Sequence, residues 1–113
     1  MKVSWLLAAS LCALAGCSQS TPISLTNRSG APLEDVVITG SGFEQSIGSI
    51  PAGTTEKVDV NPSGESGLGL SFHSRGREVD LPAQGYFEGG GSYTVAAVVE
   101  PDLSVTVNAS LRY

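Results

Sequence analysis

Asp102-Leu103-Ser104-Val105-Thr106-Val107-Asn108-Ala109-Ser110-Leu111-Arg112-Tyr113 is the longest stretch after residue 16 without glycine or proline. It alternates. Leu103, Val105, Val107, Ala109, Leu111 and Tyr113 fall on one parity, and Asp102, Ser104, Thr106, Asn108, Ser110 and Arg112 on the other. In an extended chain successive side chains point to opposite faces, so this segment has one apolar and one polar face and predicts a half-buried strand. A helix would scatter the same six apolar residues around its circumference.

The same reading runs back along the chain. Ile23–Asn27 alternates, and Leu33–Thr39 centres on Val36-Val37-Ile38. Phe43–Ile50 is a weaker pattern, and Thr54–Val60 presents Val58 and Val60. Leu68, Leu70 and Phe72 alternate with Gly69, Ser71 and His73, and a short strand is expected over Arg77–Leu81. Ser92–Glu100 is apolar on both faces through Val95–Val99, as a central strand would be. Between these segments lie turn formers: Ile50-Pro51-Ala52-Gly53, Ser74-Arg75-Gly76 and Glu100-Pro101-Asp102-Leu103. Strands at such spacing predict an all-β fold, an antiparallel sandwich of seven or eight strands.

Composition narrows the function classes. The 113 residues carry 11 acidic and 6 basic side chains, a net charge of −5. That excludes a basic nucleic-acid binder. With two cysteines, Cys12 and Cys17, there is no disulfide framework and no Cys-rich zinc module. No cofactor is expected.

The N-terminus reads differently from the rest. Met1-Lys2 is followed by the apolar run Val3–Ala15 and then by the polar Ser18-Gln19-Ser20-Thr21-Pro22. Thirteen residues make a helix of about 20 Å, too short for a hydrocarbon core of about 30 Å. The positive start and abrupt polar stop predict an export signal. Leu14-Ala15-Gly16-Cys17 resembles the lipobox of bacterial lipoproteins. The resemblance implies cleavage between Gly16 and Cys17, a diacylglycerol on the Cys17 sulfur and acylation of the new amino group. It implies residues 1–16 as signal peptide, 17–22 as lipidated cysteine and tether, and 23–113 as the sandwich. By the same analogy Ser18 implies delivery to the outer membrane of a Gram-negative envelope, facing the periplasm.

Asn27-Arg-Ser-Gly-Ala-Pro-Leu33, Val36-Val-Ile-Thr-Gly40 and Ile47-Gly-Ser-Ile-Pro-Ala-Gly53 resemble bacterial immunoglobulin-like or transthyretin-like sandwich domains. With the lipobox, the chain is similar to the small lipoproteins of Gram-negative bacteria. Such folds host many roles, so the likeness assigns none.

Candidate chemistry is sparse. His73 is the sole histidine, with Ser71, Ser74, Glu78 and Asp80 nearby in sequence. Alternation places it opposite Leu70 and Phe72, which predicts a solvated side chain, and the chain has no G-x-S-x-G elbow. No catalytic residue is assigned. Asp59-Val-Asn61-Pro-Ser63-Gly64 has the start of a calcium loop, with oxygen ligands at alternate positions. Its twelfth position is Leu70 instead of glutamate, although Glu65 offers a carboxylate. No metal site is expected; Asp59, Asn61 and Ser63 come nearest to one. Gly89-Gly90-Gly91 reads as a flexible hairpin tip, and Tyr86 and Phe87 beside it as core residues or as an exposed aromatic contact. Asn27-Arg-Ser and Asn108-Ala-Ser match glycosylation sequons, which carry no expectation in a bacterial lipoprotein.

The expected function is that of a non-catalytic binding or scaffolding module. It would be held to the membrane through Cys17 and would meet an envelope protein through the loops Asn61–Gly67 and Gly85–Gly91. The alternative is an inhibitor of a hydrolase such as lysozyme, a basic enzyme that an acidic domain attracts. A hydrolase using His73 is the third reading.

Overall fold

The computed structural model describes residues 20–112. The lipobox residues Leu14, Ala15, Gly16 and Cys17 lie outside the described residues, as does Tyr113. The described chain is an all-β sandwich of eight strands: β1 Thr21–Asn27, β2 Leu33–Gly40, β3 Phe43–Ile50, β4 Thr55–Val60, β5 Glu65–Ser74, β6 Arg77–Glu88, β7 Tyr93–Val99 and β8 Val105–Leu111. One sheet has the order β4-β1-β7-β8 and the other β3-β2-β5-β6.

Five of the six strand pairs are antiparallel, as alternation with short turns predicts. The sixth, β1 with β7, is parallel. No hairpin can make a parallel pair, so it needs chain that leaves the sheet and returns. Here β5 and β6 in the opposite sheet supply the return. β1 and β2 belong to different sheets, whereas the constant-type immunoglobulin order sets its first two strands in one sheet.

Core residues come from the alternating sets of both sheets: Ile23 and Leu25 from β1, Val36 and Ile38 from β2, Leu68, Leu70 and Phe72 from β5, Val95, Ala97 and Val99 from β7. Phe72 and Phe87 are the largest fully buried side chains. Burial of each large apolar side chain contributes roughly 1.5–3 kcal/mol. β7 is central, between β1 and β8, and its outer-face residues Ala96 and Val98 are half-buried.

The strand limits differ from expectation at four places, one of them β8, which starts at Val105 because Asp102–Ser104 belong to the turn from β7. β1 starts at Thr21, two residues before the alternation predicts, because Thr21 is fully buried and pairs with Val60. β5 begins at Glu65, and β6 runs twelve residues through Pro82 and Gly85. Both fit because β6 is an edge strand and its pairing with β5 shifts register twice, between Ser66 and Leu68 and between Leu68 and Leu70. Gly89–Gly91 is not a hairpin tip. It carries the chain from β6 in one sheet to β7 in the other, and the Gly89 amide donates to the Gly64 carbonyl at 3.0 Å.

The turn at Arg75-Gly76 is a two-residue hairpin, with φ of 52° and 73°. Positive φ at both positions is the type I′ signature, whose twist matches that of the flanking strands. At the β7–β8 turn the Leu103 amide donates to the Glu100 carbonyl at 2.8 Å. Leu103 itself adopts φ 69° while its side chain is buried.

Candidate functional site

The strand directions sort the connections into two ends. β1 starts at one end, together with Ser41-Gly42, the β4–β5 loop 61–64 and the β6–β7 loop 89–92. These are tied together: the Ser63 amide donates to the Ser41 carbonyl at 2.9 Å and Ser41 Oγ donates to the Ser63 carbonyl at 3.1 Å. Every residue of these loops is Gly, Ser, Asn or Pro, so this end has an uncharged rim. The two segments expected to carry partner contacts do converge here. Their outer parts, Glu65–Gly67 and Gly85–Glu88, are strand and not loop.

The opposite end gathers the β1–β2 connection, residues 51–54, Arg75-Gly76 and the β7–β8 turn. Its organiser is Asn27, which is 0% exposed. Its amide nitrogen donates to the Ala31 carbonyl at 2.7 Å and the Ile50 carbonyl at 2.9 Å. Its oxygen accepts from the Ser29 amide at 2.9 Å and from Ser29 Oγ at 2.7 Å. All four hydrogen-bonding positions of the amide are therefore used. Asn27-Arg-Ser is thus a structural clasp, and no amide hydrogen is free for a glycan; the exposed Asn108 has no such constraint. Arg75 spans this end, donating to the Ser29 and Pro101 carbonyls.

Beside it is a shallow depression of about 330 Å³ lined by Pro32, Glu34, His73, Ser74 and Arg75. His73 has a side chain 53% exposed, with Nδ1 3.6 Å from Asp35 Oδ2. Its cross-strand neighbours are Glu34 and Glu78. Asp35 gets there by a bulge: β2 slips register between Glu34 and Val37, and Asp35 takes φ 51°. Local alternation could not reveal that carboxylate. The serines do not join the histidine. Ser74 Oγ donates to the Pro32 carbonyl at 3.0 Å, and Ser71 pairs with Asp80 one step further along the strand. So exposed a histidine–carboxylate contact contributes about 0–1 kcal/mol.

Asp59, Asn61 and Ser63 follow one another along the end of β4 and its loop. Asp59 is opposite Pro22 on the outer sheet face. Ser63 is bound on both its amide and its carbonyl by Ser41. Among the described residues no three His, Cys, Asp or Glu side chains are placed so that they could hold a metal ion.

Phe87 points into the core and Tyr86 outward, 48% exposed. Tyr86 meets Tyr93 edge-on, with centroids 6.3 Å apart and planes at 81°. Its hydroxyl donates to the Glu88 carboxylate. That bond, with the negative charge of Glu65 and Glu88, pushes the phenol up to about 12.

No protein-family model matches the sequence, and neither does any curated protein. In three dimensions the chain is similar to a protein from Eubacterium rectale solved by NMR, with a TM-score of 0.55 and 17% identity. The match covers 83% of this chain and 91% of that one. At this identity the likeness speaks for the fold alone.

Proposed function

We propose that the chain is an outer-membrane-anchored lipoprotein, and that its sandwich is a non-catalytic binding or scaffolding module of the cell envelope. Of the two sandwich types the sequence resembles, the placement of β1 and β2 in opposite sheets favours the transthyretin-like one. The observation that carries the anchoring is distance along the chain: Cys17 stands four residues before β1, which begins at Thr21. Only residues 18–20 then separate the acylated cysteine from a buried strand. Three residues reach at most about 11 Å. A module tethered so closely stays at the lipid surface, and three acyl chains exceed the two hydrophobic signals that stable anchoring takes.

The loops 61–64 and 89–92 share the end from which this tether leaves. A protein that binds them must itself sit at the membrane surface, which agrees with an envelope partner. The non-catalytic reading is supported by the separate engagements of Ser74, which donates to the Pro32 carbonyl, and of His73, which faces Asp35.

Metabolic labelling with palmitate tests the anchor. The wild-type chain takes up label and fractionates with membranes, and Cys17→Ala takes up none and becomes soluble. Membrane fractionation of Cys17→Ala equal to wild type would reject the proposal. Replacing 61–64 and 89–91 by neutral linkers should remove any co-purifying envelope protein; unchanged co-purification would reject those loops as the contact.

A further inference from the structure

Among the described residues two large apolar side chains are exposed, Leu111 at 47% and Tyr86 at 48%. An exposed hydrophobic residue by itself is ordinary; a contiguous patch is what marks an interaction site. These two are joined. Tyr86 meets Tyr93 edge-on, and Tyr93 is the cross-strand partner of Leu111. The patch therefore runs from β6 of one sheet to β7 and β8 of the other. It exists because the sheets touch at this corner. Gly85, at φ 76°, lies so close to β8 that an added Cβ would stand 3.1 Å from Val107 Cγ1.

Its place in the fold selects what covers it. Tyr93 opens β7 and Leu111 closes β8, at the end from which β1 starts. The parallel register pairs Ile23 with Val95, which carried back two residues sets Thr21 level with Tyr93. Thr21, Tyr93 and Leu111 thus form one row across three neighbouring strands. Strands lie about 4.8 Å apart, so Leu111 stands about 10 Å from Thr21. The tether of residues 18–20 reaches at most about 11 Å from that same residue. On the reading of Cys17 as the lipid anchor, on which this inference rests, the acyl chains enter the membrane beside the patch.

The chemistry of the patch suits that neighbour. Tyrosine is enriched where a membrane meets water, because its ring is apolar and its hydroxyl polar. The Arg112 guanidinium, next to Leu111, bonds to the Gly91 carbonyl and keeps further N–H donors for phosphate oxygens. The adjoining Gly89-Gly-Gly-Ser92 is uncharged and without bulk, so it does not hold the patch away from a flat surface. The carboxylates of this end stand to one side: Glu44 on β3, Asp59 on β4, and Glu65 opposite Glu88 on β5 and β6. The side turned away from them is β8, whose seven residues carry no charge.

We propose that Tyr86, Tyr93, Leu111 and Arg112 seat the sandwich on the lipid surface that holds its anchor. The domain leans on its β7–β8 side. Leu111 and the tyrosine rings enter the headgroup layer, and Arg112 meets lipid phosphate. Seating fixes an orientation that a tether alone leaves free. The end organised by Asn27 and Arg75 then points away from the lipid. The β4 edge and the loop 61–64, across the sheet from β8, stay open to a partner.

A single tryptophan tests this. Trp5 precedes Cys17, so the processed chain has no tryptophan of its own. Leu111→Trp puts one in the patch, and Ala52→Trp, on an exposed turn at the opposite end, is the control. Each lipidated chain is reconstituted into phosphatidylcholine vesicles, with and without bromine near the head of the acyl chains. Flotation with the vesicles reports the anchor, and bromine quenching reports the seating. Leu111→Trp should emit at shorter wavelength and be quenched about twofold or more, and Ala52→Trp should be left unquenched. High salt should not reverse the quenching, because apolar contact is not screened. Tyr86→Ser should lower the quenching of Leu111→Trp about twofold with far-UV circular dichroism unchanged, and Tyr86→Phe should preserve it. Chains that float with no quenching at Leu111→Trp, or with equal quenching of both probes, would overturn the seating and leave the anchor standing. Chains that do not float remove the anchor, and the seating with it. A shift to shorter wavelength that bromine does not quench and that grows with protein concentration would put a second copy on the patch in place of lipid, and would equally overturn the proposal.

Discussion

Replacement of Asn27 by alanine should be among the most damaging single changes away from the apolar core. Asn27 is fully buried and makes four hydrogen bonds with its side chain. Alanine removes a donor from the Ala31 and Ile50 carbonyls and an acceptor from the Ser29 amide and hydroxyl. The Ser29 hydroxyl keeps the Ala31 carbonyl, 3.0 Å away, but the Ser29 amide loses its partner. A buried group left unpaired costs about 1–3 kcal/mol, and each lost bond to a carbonyl about 0.5–1.5 kcal/mol net. The sum is a loss of about 2–6 kcal/mol, a large part of the 5–15 kcal/mol typical of a domain. Urea unfolding followed by far-UV circular dichroism measures it as a lower midpoint at unchanged slope. Ser29→Ala keeps the asparagine and the backbone bond, so it should cost only about 1 kcal/mol. If Asn27→Ala costs less than Ser29→Ala, the clasp does not hold this end together and the reasoning fails.

Three further outcomes follow from single residues. Leu103 combines φ 69° with 4% exposure; glycine relieves about 1–2 kcal/mol of backbone strain that alanine retains, so Leu103→Gly should unfold at higher urea than Leu103→Ala, the reverse of the usual order. A Cβ on Gly89 would stand 2.3 Å from the Pro62 carbonyl oxygen, so Gly89→Ala should cost about 1–3 kcal/mol in the same assay, and an unchanged midpoint would count against the packing of these two loops. The Asp102 carboxyl is held below its ordinary range by Ser104, whose hydroxyl and amide both donate to it. A depressed carboxyl stabilises the fold above its unfolded pKa of 3.8, and the contribution is lost as pH falls through the lower folded value. Asp102→Asn should therefore flatten part of the stability decline in that acid range, and an identical acid profile would refute the assignment.

The legible part of this protein was whatever repeats within one strand. Alternation at Ile23–Asn27, Leu68–Phe72 and Val105–Leu111 showed the strands and which side chains face inward, because that property depends only on neighbours two residues apart. Glycine and proline marked the turns, and the type I′ hairpin at Arg75-Gly76 could be placed from its residues. The solvated position of His73 followed from the same parity.

What crossed between segments could not be read in this way. The parallel β1–β7 pair, the crossing at Gly89–Gly91 and the division of β1 and β2 between sheets depend on which edges meet, and period-two patterns are alike in every such arrangement. Asp35 beside His73 needed a bulge, which breaks the parity that placed its neighbours. Asn27 matched a sequon that carried no expectation, and only the meeting of residues 29, 31 and 50 around it makes its buried amide satisfied. The want of charge in β8 was plain in the sequence from the start. That it borders an open edge, while β7 with a similar composition is enclosed, was decided by the tertiary structure: hydrogen bonds between strands are long-range, and no local pattern says which strand comes last in a sheet.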